Sequence, residues 1–226
     1  MQDKSVKLIE CFASYQGEGP NNGRSMLILR FKYCNRNCPW CDTKIKMRIS
    51  VETLYLLSDI QEAINKKHCG ILVTGGEPTF DRHFDDTLKL LNELDYPIAN
   101  VESNGFRLID LVKQTSHNSN VNFIFSPKIF TDDDYVFARK VTTELLEKYR
   151  NHVFVKVVYE DRQLVTSYLS WLSSFVCEKK LFGNVWLMPE GATRTDVLKN
   201  SEVVFDACEK YKFNFSSRNH IIFGFV

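Results

Sequence analysis

The chain has 226 residues, 44% of them hydrophobic and 25% charged, and a formal net charge of +1. These values are typical of one ordinary globular domain and exclude a disordered or repetitive chain, while the balance of acids and bases lacks the basic excess of a nucleic-acid-binding protein. Because residues 1–10 lack the layout of a signal peptide and no apolar run is long enough to span a bilayer, we expect a cytoplasmic protein without nucleic-acid or membrane partners.

Apolar segments rich in β-branched residues recur along the chain, and each predicts a strand. They are residues 26–33, 70–76, 98–105, 121–128, 152–159 and 184–191. Segments with helical spacing lie between them, for example 59–68, 84–95, 162–176 and 195–211. This alternation favours right-handed βαβ units and a parallel sheet. A closed barrel needs eight units, so we predict an α/β fold, namely an incomplete, open parallel β/α barrel of about six units with short additional strands at both ends.

Polar or Gly/Pro-containing sequences follow the ends of these predicted strands. They are "CNRNCPWC", "GGEP", "ESNG", "SPK" and "MPEG". Any one of them alone would be ordinary turn chemistry. In parallel α/β folds, however, the carboxyl ends of the strands meet on one face, and ligand sites are built there. We therefore expect these sequences to form one site.

Three cysteines, Cys34, Cys38 and Cys41, form a C-x-x-x-C-x-x-C run. In the reducing cytosol such clustered cysteines indicate metal rather than disulfides. A structural zinc site needs four ligands, usually as two separated pairs, and the sequence offers no second pair. A [4Fe-4S] cluster held by three thiolates would leave one iron open. The remaining cysteines are scattered among apolar neighbours, and we expect them to be buried as small hydrophobic side chains; they are Cys11, Cys69, Cys177 and Cys208.

The cysteine spacing, with Trp40 in the aromatic position, resembles the signature of the radical S-adenosylmethionine (SAM) superfamily. This resemblance implies that Cys34, Cys38 and Cys41 hold a [4Fe-4S] cluster whose fourth iron binds SAM. It also places Trp40 beside the adenine, although packing over the cysteine loop would explain this residue equally well. "TGGEP" (74–78) is similar to the second motif of the superfamily, which receives the methionyl amino group of SAM.

The segment 10–44, "ECFASYQGEGPNNGRSMLILRFKYCNRNCPWCDTK", resembles the 7-carboxy-7-deazaguanine synthase family, and the likeness continues through the later motifs. It implies one radical SAM domain over residues 1–226. The implied reaction is the ring contraction of 6-carboxy-5,6,7,8-tetrahydropterin to 7-carboxy-7-deazaguanine with loss of ammonia, a step toward queuosine and related 7-deazapurines. The implied partners are a flavodoxin or ferredoxin reductant and a second copy of the chain in a homodimer.

The resemblance also assigns residues to the substrate and to Mg²⁺. The substrate residues would be Tyr15, Gln16, Gly17, Glu18, Arg30, Thr74, His220 and Val226. An arginine in the middle of a strand is costly to bury without an anionic partner, which favours a substrate role for Arg30 over a solvated strand face. His220 alone would more often be structural. Thr43 would bind Mg²⁺, whereas a threonine after an aspartate ordinarily belongs to a turn or a helix cap.

The residues assigned to SAM by the same resemblance are Trp40, Gly75, Gly76, Glu77, Glu102, Asn104, Ser126, Lys128, Met188, Pro189 and Glu190. In two positions the sequence departs from the family: Ser103 replaces a common threonine, and Met188 stands where some members have glutamine. The acidic run 131–135 is expected to be a solvated loop.

Three other hypotheses remain open. A glycyl-radical activating enzyme shares the cysteine run, although "QGEG" and "CDT" argue against it. A family member could have an additional regulatory role in binding another protein. A zinc-binding module is the third alternative, and iron and sulfide analysis distinguishes it from the enzymes.

Overall fold

A computed structural model describes residues 4–225 of the chain. The strands are β1 (Ser5–Leu8), β2 (Glu10–Tyr15), β3 (Ser25–Phe31), β4 (Thr53–Leu56), β5 (Gly70–Gly75), β6 (Ala99–Ser103), β7 (Val121–Phe125), β8 (Val153–Tyr159), β9 (Val185–Pro189) and β10 (Asn214–Phe215). The helices are α1 (Lys44–Ile49), α2 (Leu57–Lys67), α3 (Phe84–Glu93), α4 (Leu108–Thr115), α5 (Asp132–Tyr149), α6 (Gln163–Lys179), α7 (Arg194–Tyr211) and α8 (Asn219–Phe223). Within residues 4–225, no helix has both the length and the apolar character required to cross a membrane.

The main sheet has eight strands in the order β10-β9-β8-β7-β6-β5-β3-β2. From β3 to β10 all neighbours are parallel, whereas β2 is antiparallel to β3. In the described part of the chain the two edge strands, β2 and β10, are not paired with each other, so the barrel is open. The predicted open barrel with six parallel βα strands and additions at both ends is confirmed. A separate antiparallel pair joins β1 and β4.

Alternate residues of each strand point to opposite faces of this sheet. On one face, side chains such as Leu29, Val73 and Val101 belong to the main hydrophobic cluster together with buried residues of helices α2 to α7. On the other face, Arg30 and Glu102 line a cavity inside the open barrel. The alternation therefore separates the core from the site.

The acidic run 131–135 is not a loop, and that prediction was wrong. Helix α5 begins at Asp132, and Thr131 accepts a hydrogen bond from the backbone N–H of Asp134 at 3.2 Å. The Asp134 carboxylate in turn accepts one from the Thr131 backbone N–H at 3.1 Å, which completes a capping box. Because the amino end of a helix carries partial positive charge, consecutive aspartates stabilise this end.

The cysteines outside the cysteine run divide into two groups. Cys69 and Cys208 are buried, as predicted. Cys11 is only partly buried, and Cys177 is exposed near the end of α6. The prediction was therefore wrong for Cys177, because this residue lies on the solvent side of an amphipathic helix.

Candidate active site

The cavity inside the barrel has a volume of about 390 Å³ and lies at the carboxyl ends of the parallel strands. It brings together all of the predicted site residues except three. Pro189 and Glu190 are not among its lining residues, and Val226 lies outside the described residues. From "MPEG", only Met188 lines the cavity. Pro189 is the last residue of β9, and the Glu190 carbonyl accepts a hydrogen bond from the Asn200 side-chain amide.

The three predicted cluster ligands line one side of this cavity. Cys38 is buried, and Cys34 and Cys41 are partly buried. The sulfur of Cys34 accepts hydrogen bonds from the backbone N–H of Arg36 at 3.4 Å and from the Asn104 amide at 3.7 Å. Burial raises the pKa of the Cys34 thiol to about 11, so a bound metal must stabilise the thiolate.

The spacing of the three sulfur atoms distinguishes a cluster from a single ion. Two thiolates on one zinc ion lie at most about 4.6 Å apart, since each Zn–S bond is about 2.3 Å. Within residues 4–225 the cysteine sulfurs do not form a group whose atoms all lie within 4.8 Å of one another. A cluster separates its thiolates over several irons, and backbone N–H groups near the sulfurs are usual there. The donor set thus fits a [4Fe-4S] cluster better than one zinc ion.

The glycines of "TGGEP" are required by the cysteine loop itself. The Gly76 N–H donates to the Phe31 carbonyl at 2.9 Å, and the Glu77 N–H donates to the Tyr33 carbonyl at 2.8 Å. A Cβ on Gly76 would lie 2.0 Å from the Tyr33 carbonyl oxygen. Gly75 has a φ of +122°, a conformation that side chains disfavour. This close approach fixes the chain immediately before Cys34.

His83 supports the same loop, and the sequence analysis did not identify it. Its Nε2 accepts a hydrogen bond from the Tyr33 N–H at 3.1 Å, and its ring stacks on Phe31 with centroids 4.6 Å apart. Burial lowers the pKa of His83, which keeps the ring neutral and Nε2 available as an acceptor. A lone histidine before α3 gave no signal for this role.

Glu77 is almost completely buried and joins two strand ends. Its carboxylate accepts hydrogen bonds from the backbone N–H and hydroxyl of Thr79, at 3.0 and 2.6 Å, and from the Asn104 N–H at 2.6 Å. Burial raises the pKa of Glu77 although these hydrogen bonds oppose the change. Much of its hydrogen-bonding capacity is therefore used within the protein, and its role toward an ammonium group stays a prediction.

Lys128 and Trp40 retain unused binding capacity beside the cysteines. The Lys128 ammonium donates to the Ser126 hydroxyl at 2.7 Å and lies 5.1 Å from the centre of the Trp40 ring. Within residues 4–225 no carboxylate forms an ion pair with Lys128, and burial lowers the pKa of Lys128. The Trp40 Nε1 atom is buried without a hydrogen-bond partner in the described part. A ligand with a carboxylate and a heterocyclic base, as SAM has, fits these groups.

Buried charges form the base of the cavity around Lys156. Its ammonium lies 2.5 Å from Glu18 Oε2 and 2.9 Å from Glu102 Oε2, while the Gln16 amide donates to Glu102 Oε1 at 3.2 Å. Burial acts to lower the pKa of Lys156, but Glu102 and Glu18 outweigh it and the pKa is raised. Burial acts to raise the pKa of Glu18, but Lys156, Arg218 and His220 hold it well below its usual range. Glu18 is thus ionised.

Lys156 and Arg218 were missing from the predicted site. Lys156 interrupts the apolar strand "VFVKVVY", which is the same signal that identified Arg30, so sequence reasoning could have found it. Arg218 lies in an irregular segment between β10 and α8 and gave no comparable signal.

Arg30 has an anionic partner within the protein. Its Nε lies 2.5 Å from Glu10 Oε2, because Glu10 of β2 is directly opposite Arg30 of β3. Lys46 binds the other oxygen of Glu10 at 3.2 Å. Glu10 therefore already balances the charge of Arg30, so the burial of Arg30 does not by itself indicate an anionic ligand. Arg30 does line the cavity, and its substrate role stays a prediction.

His220 packs directly on the loop that contains "YQGEG". A Cβ on Gly17 would lie 2.3 Å from His220 Nδ1, so only glycine leaves room for the ring. The Asn219 N–H donates to the Gly17 carbonyl at 2.9 Å, and the Gly19 N–H donates to the Ser216 hydroxyl at 2.7 Å. Tyr15, at the end of β2, is half exposed. Segments 15–19 and 216–220 thus form one wall of the cavity.

Thr43 is the N-cap residue of α1, but its side chain makes no capping hydrogen bond. Its hydroxyl lies 3.4 Å from the sulfur of Cys41 and faces the cavity. The alternative of a simple helix cap is therefore not supported by the contacts. Its role as a Mg²⁺ ligand stays a prediction.

Comparison with known proteins gives consistent results. Residues 28–158 match the family model described as the radical SAM superfamily. The chain is 33% identical to 7-carboxy-7-deazaguanine synthase of Thermoplasma acidophilum over 161 residues, which is 68% of this chain and 70% of the relative. It is 33% identical over 107 residues to the enzyme of that name from Haemophilus influenzae, which is 47% of this chain and only about half (49%) of that relative's length.

Among solved structures, the chain is similar to the crystal structure of QueE from Escherichia coli. The TM-score is 0.58 with 16% sequence identity, and the match covers 96% of this chain and 95% of that one. At this identity, the similarity concerns the fold alone.

Proposed function

The chain belongs to the radical SAM superfamily and, within it, to the 7-carboxy-7-deazaguanine synthase family, and we propose that it converts 6-carboxy-5,6,7,8-tetrahydropterin to 7-carboxy-7-deazaguanine with loss of ammonia. This reaction is a carbon–nitrogen lyase step toward queuosine and other 7-deazapurines. One observation carries the proposal: the three cysteines and the buried charged residues around Glu18 and Lys156 line the same cavity.

The cofactors of this reaction are a [4Fe-4S] cluster, SAM and Mg²⁺. Cys34, Cys38 and Cys41 would hold the cluster, and Lys128 and Trp40 would face SAM. When bound, the cluster and SAM supply the one-electron chemistry that removes a hydrogen atom from C6 of the pterin. A flavodoxin or ferredoxin is the expected electron donor.

The protein's own groups orient the pterin. The Glu18 carboxylate accepts hydrogen bonds from ligand N–H groups, whereas Arg30 and His220 offer donors to a carboxylate. Thr43 would offer one oxygen to Mg²⁺, and water and substrate oxygens would supply most of its other ligands. Good orientation matters, because a misplacement of about 1 Å costs roughly a hundredfold in rate.

We also propose that the enzyme works in the cytoplasm as a homodimer. The seven cysteines are all free thiols, which suits a reducing compartment. The dimer follows from the family resemblance, and sedimentation of the purified protein tests it.

An anaerobic assay tests the proposed reaction. The reconstituted chain is incubated with the carboxytetrahydropterin, SAM, Mg²⁺ and a reductant, and 7-carboxy-7-deazaguanine, ammonia and 5′-deoxyadenosine are measured. All three are expected, and Cys41→Ala, without one cluster ligand, is expected to produce none of them.

Two results would contradict the proposal. Zinc instead of iron and sulfide in the reconstituted protein would favour the zinc-binding module. Cleavage of SAM without consumption of the pterin would favour another radical SAM activity, such as activation of a glycyl-radical enzyme.

A further inference from the structure

Arg218 makes contact with three separate parts of the site. The residue is buried, with 6% of its surface exposed. Its Nε donates to Glu18 Oε1 at 3.0 Å, its Nη2 donates to Asp42 Oδ2, and its Nη1 donates to the Gly191 carbonyl. One guanidinium therefore donates hydrogen bonds to two carboxylates and to a backbone carbonyl in the loop after β9.

The three partners come from distant points of the sequence. Glu18 belongs to the loop predicted to bind the pterin, Asp42 lies between Cys41 and Thr43, and Gly191 follows β9. His220 is two residues after Arg218, with its Nε2 3.6 Å from Glu18 Oε1. Arg218 is thus linked to Glu18 and His220, which are predicted to touch the pterin, and through Asp42 to Thr43, which is predicted to bind Mg²⁺.

The same place contains the atoms of a potential metal site. Donor atoms of Glu18, Asp42 and His220 lie within 4.8 Å of one another. However, Arg218 already binds Glu18 Oε1 and Asp42 Oδ2. The Arg218 guanidinium therefore already uses the carboxylate oxygens that a metal ion would need, and it is the cation that holds Glu18 and Asp42 together.

Charge balance makes the cation necessary. Glu18, Asp42 and Glu102 bring three carboxylates to the base of the cavity, and Lys156 and Arg218 bring two cations. Without Arg218, Glu18 and Asp42 would face each other with Lys156 as the remaining paired cation. Like charges at short distance repel strongly when they are partly buried.

Only an arginine matches this geometry. Its planar guanidinium offers five N–H donors in a rigid arrangement, so it can bind two carboxylates and a carbonyl at the same time. A lysine ammonium is a compact charge on a flexible stem and would satisfy fewer of these partners.

We propose that Arg218 is a positioning residue for the pterin reaction, which it serves by holding Glu18 and Asp42 in place and, through them, His220 and Thr43. This inference rests on the proposed function. It assigns Arg218 to the pterin side of the cavity, because Glu18 is a predicted substrate residue and Asp42 directly precedes Thr43, the predicted Mg²⁺ ligand.

The test compares Arg218→Met and Arg218→Lys with the parent holoenzyme. Arg107→Met serves as the control, because Arg107 forms an exposed ion pair with Asp81 outside the cavity. We expect both Arg218 variants to raise the KM for the carboxytetrahydropterin about tenfold or more, since charge-assisted hydrogen bonds are lost. Iron content and SAM affinity should stay at parental values, and more SAM should be cleaved per product formed.

A double variant separates positioning from general support. In Arg218→Met combined with Asp42→Asn, one unbalanced carboxylate is removed, so pterin binding should recover partly relative to Arg218→Met. A role in overall packing alone would not give this recovery. If Arg218→Met does not fold, the comparison of Arg218→Lys with the parent decides.

Three results would overturn the inference. A parental KM for the pterin in both variants shows that Arg218 does not position the substrate, while the proposed function stands. An equal loss of SAM affinity and iron content shows a general structural role. If the parent protein neither binds nor converts the pterin, the proposed function and this inference are both refuted. In the first two cases, by contrast, the parent protein converts the pterin.

Discussion

Gly76 lies against the backbone of Tyr33, so that a Cβ at Gly76 would come within 2.0 Å of the Tyr33 carbonyl oxygen. Backbone atoms cannot move aside as a flexible side chain does, and the next residue after Tyr33 is Cys34. We therefore expect Gly76→Ala to displace the cysteine loop and to lower the iron and sulfide bound per chain after reconstitution. Gly183→Ala is the control, because among the described residues no heavy atom beyond its two chain neighbours lies within 4 Å of a Cβ built there. Equal iron content in the two variants would contradict this prediction.

His83 makes the stability of the protein sensitive to acid. Burial lowers its pKa below the ordinary value of 6.5, so below pH 6.5 the unfolded chain binds a proton that the folded chain does not. The contribution of His83 is therefore complete above that pH and is lost as the pH falls toward the folded-state pKa. We expect the Tm of the parent to fall as the pH decreases below 6.5, and to fall less in His83→Gln.

The matching control is His117→Gln, because His117 is exposed and lies two residues after the end of α4. This variant should keep the parental dependence of Tm on pH. The role of His83 is refuted if the His83 and His117 variants respond alike.

Lys156→Met leaves Glu18 and Glu102 without their shared cation. Removing one partner of a buried ion pair typically costs about 3 to 5 kcal/mol, because a buried charge is left uncompensated. We expect a loss of that order in the free energy of unfolding measured with denaturant, and partial recovery on adding Glu18→Gln. The exposed pair of Lys148 and Glu144 provides the comparison, since Lys148→Met should cost about 1 kcal/mol or less. Similar losses in the two lysine variants would show that the network does not stabilise the fold.

Thr43→Val tests the proposed Mg²⁺ ligand. The valine keeps the shape of the side chain but lacks the oxygen, and the Thr43 hydroxyl makes no capping bond whose loss would confuse the result. Turnover and its increase with added Mg²⁺ should both fall, while iron content stays unchanged. Thr166→Val, on α6 and outside the cavity, should behave as the parent does. If Thr43→Val also keeps the parental rate and the same response to Mg²⁺, the metal role is wrong.

Much of this architecture is visible in the sequence because the signals are local. The alternation of apolar strands and helices predicts the open barrel, and the cysteine spacing predicts one wall of the cavity. Interactions between distant segments are less visible. The sequence shows that Arg30 lies in the middle of an apolar strand, but only the register of β2 on β3 reveals that Glu10 is its partner.

Other features of the site depend on contacts between residues that are far apart in the sequence. The three partners of Arg218 are 200, 176 and 27 residues away from it. The acidic run 131–135 was misinterpreted for a different reason: the same aspartates are compatible with a solvated loop and with a helix start, and the hydrogen bonds of Thr131 decide between them.

The contact of segment 15–19 with segment 216–220 has a consequence for the order in which the site is completed during synthesis. Cys34, Cys38, Cys41, Ser126 and Lys128 all precede residue 130, so a growing chain contains these groups, which are proposed to bind the cluster and SAM, early. The Gly17–Asn219 and Gly19–Ser216 hydrogen bonds need residues about 200 positions later. During translation the wall formed by segments 15–19 and 216–220, which is proposed to face the pterin, is therefore the last part of the cavity to close, after the strands between these two segments have been made.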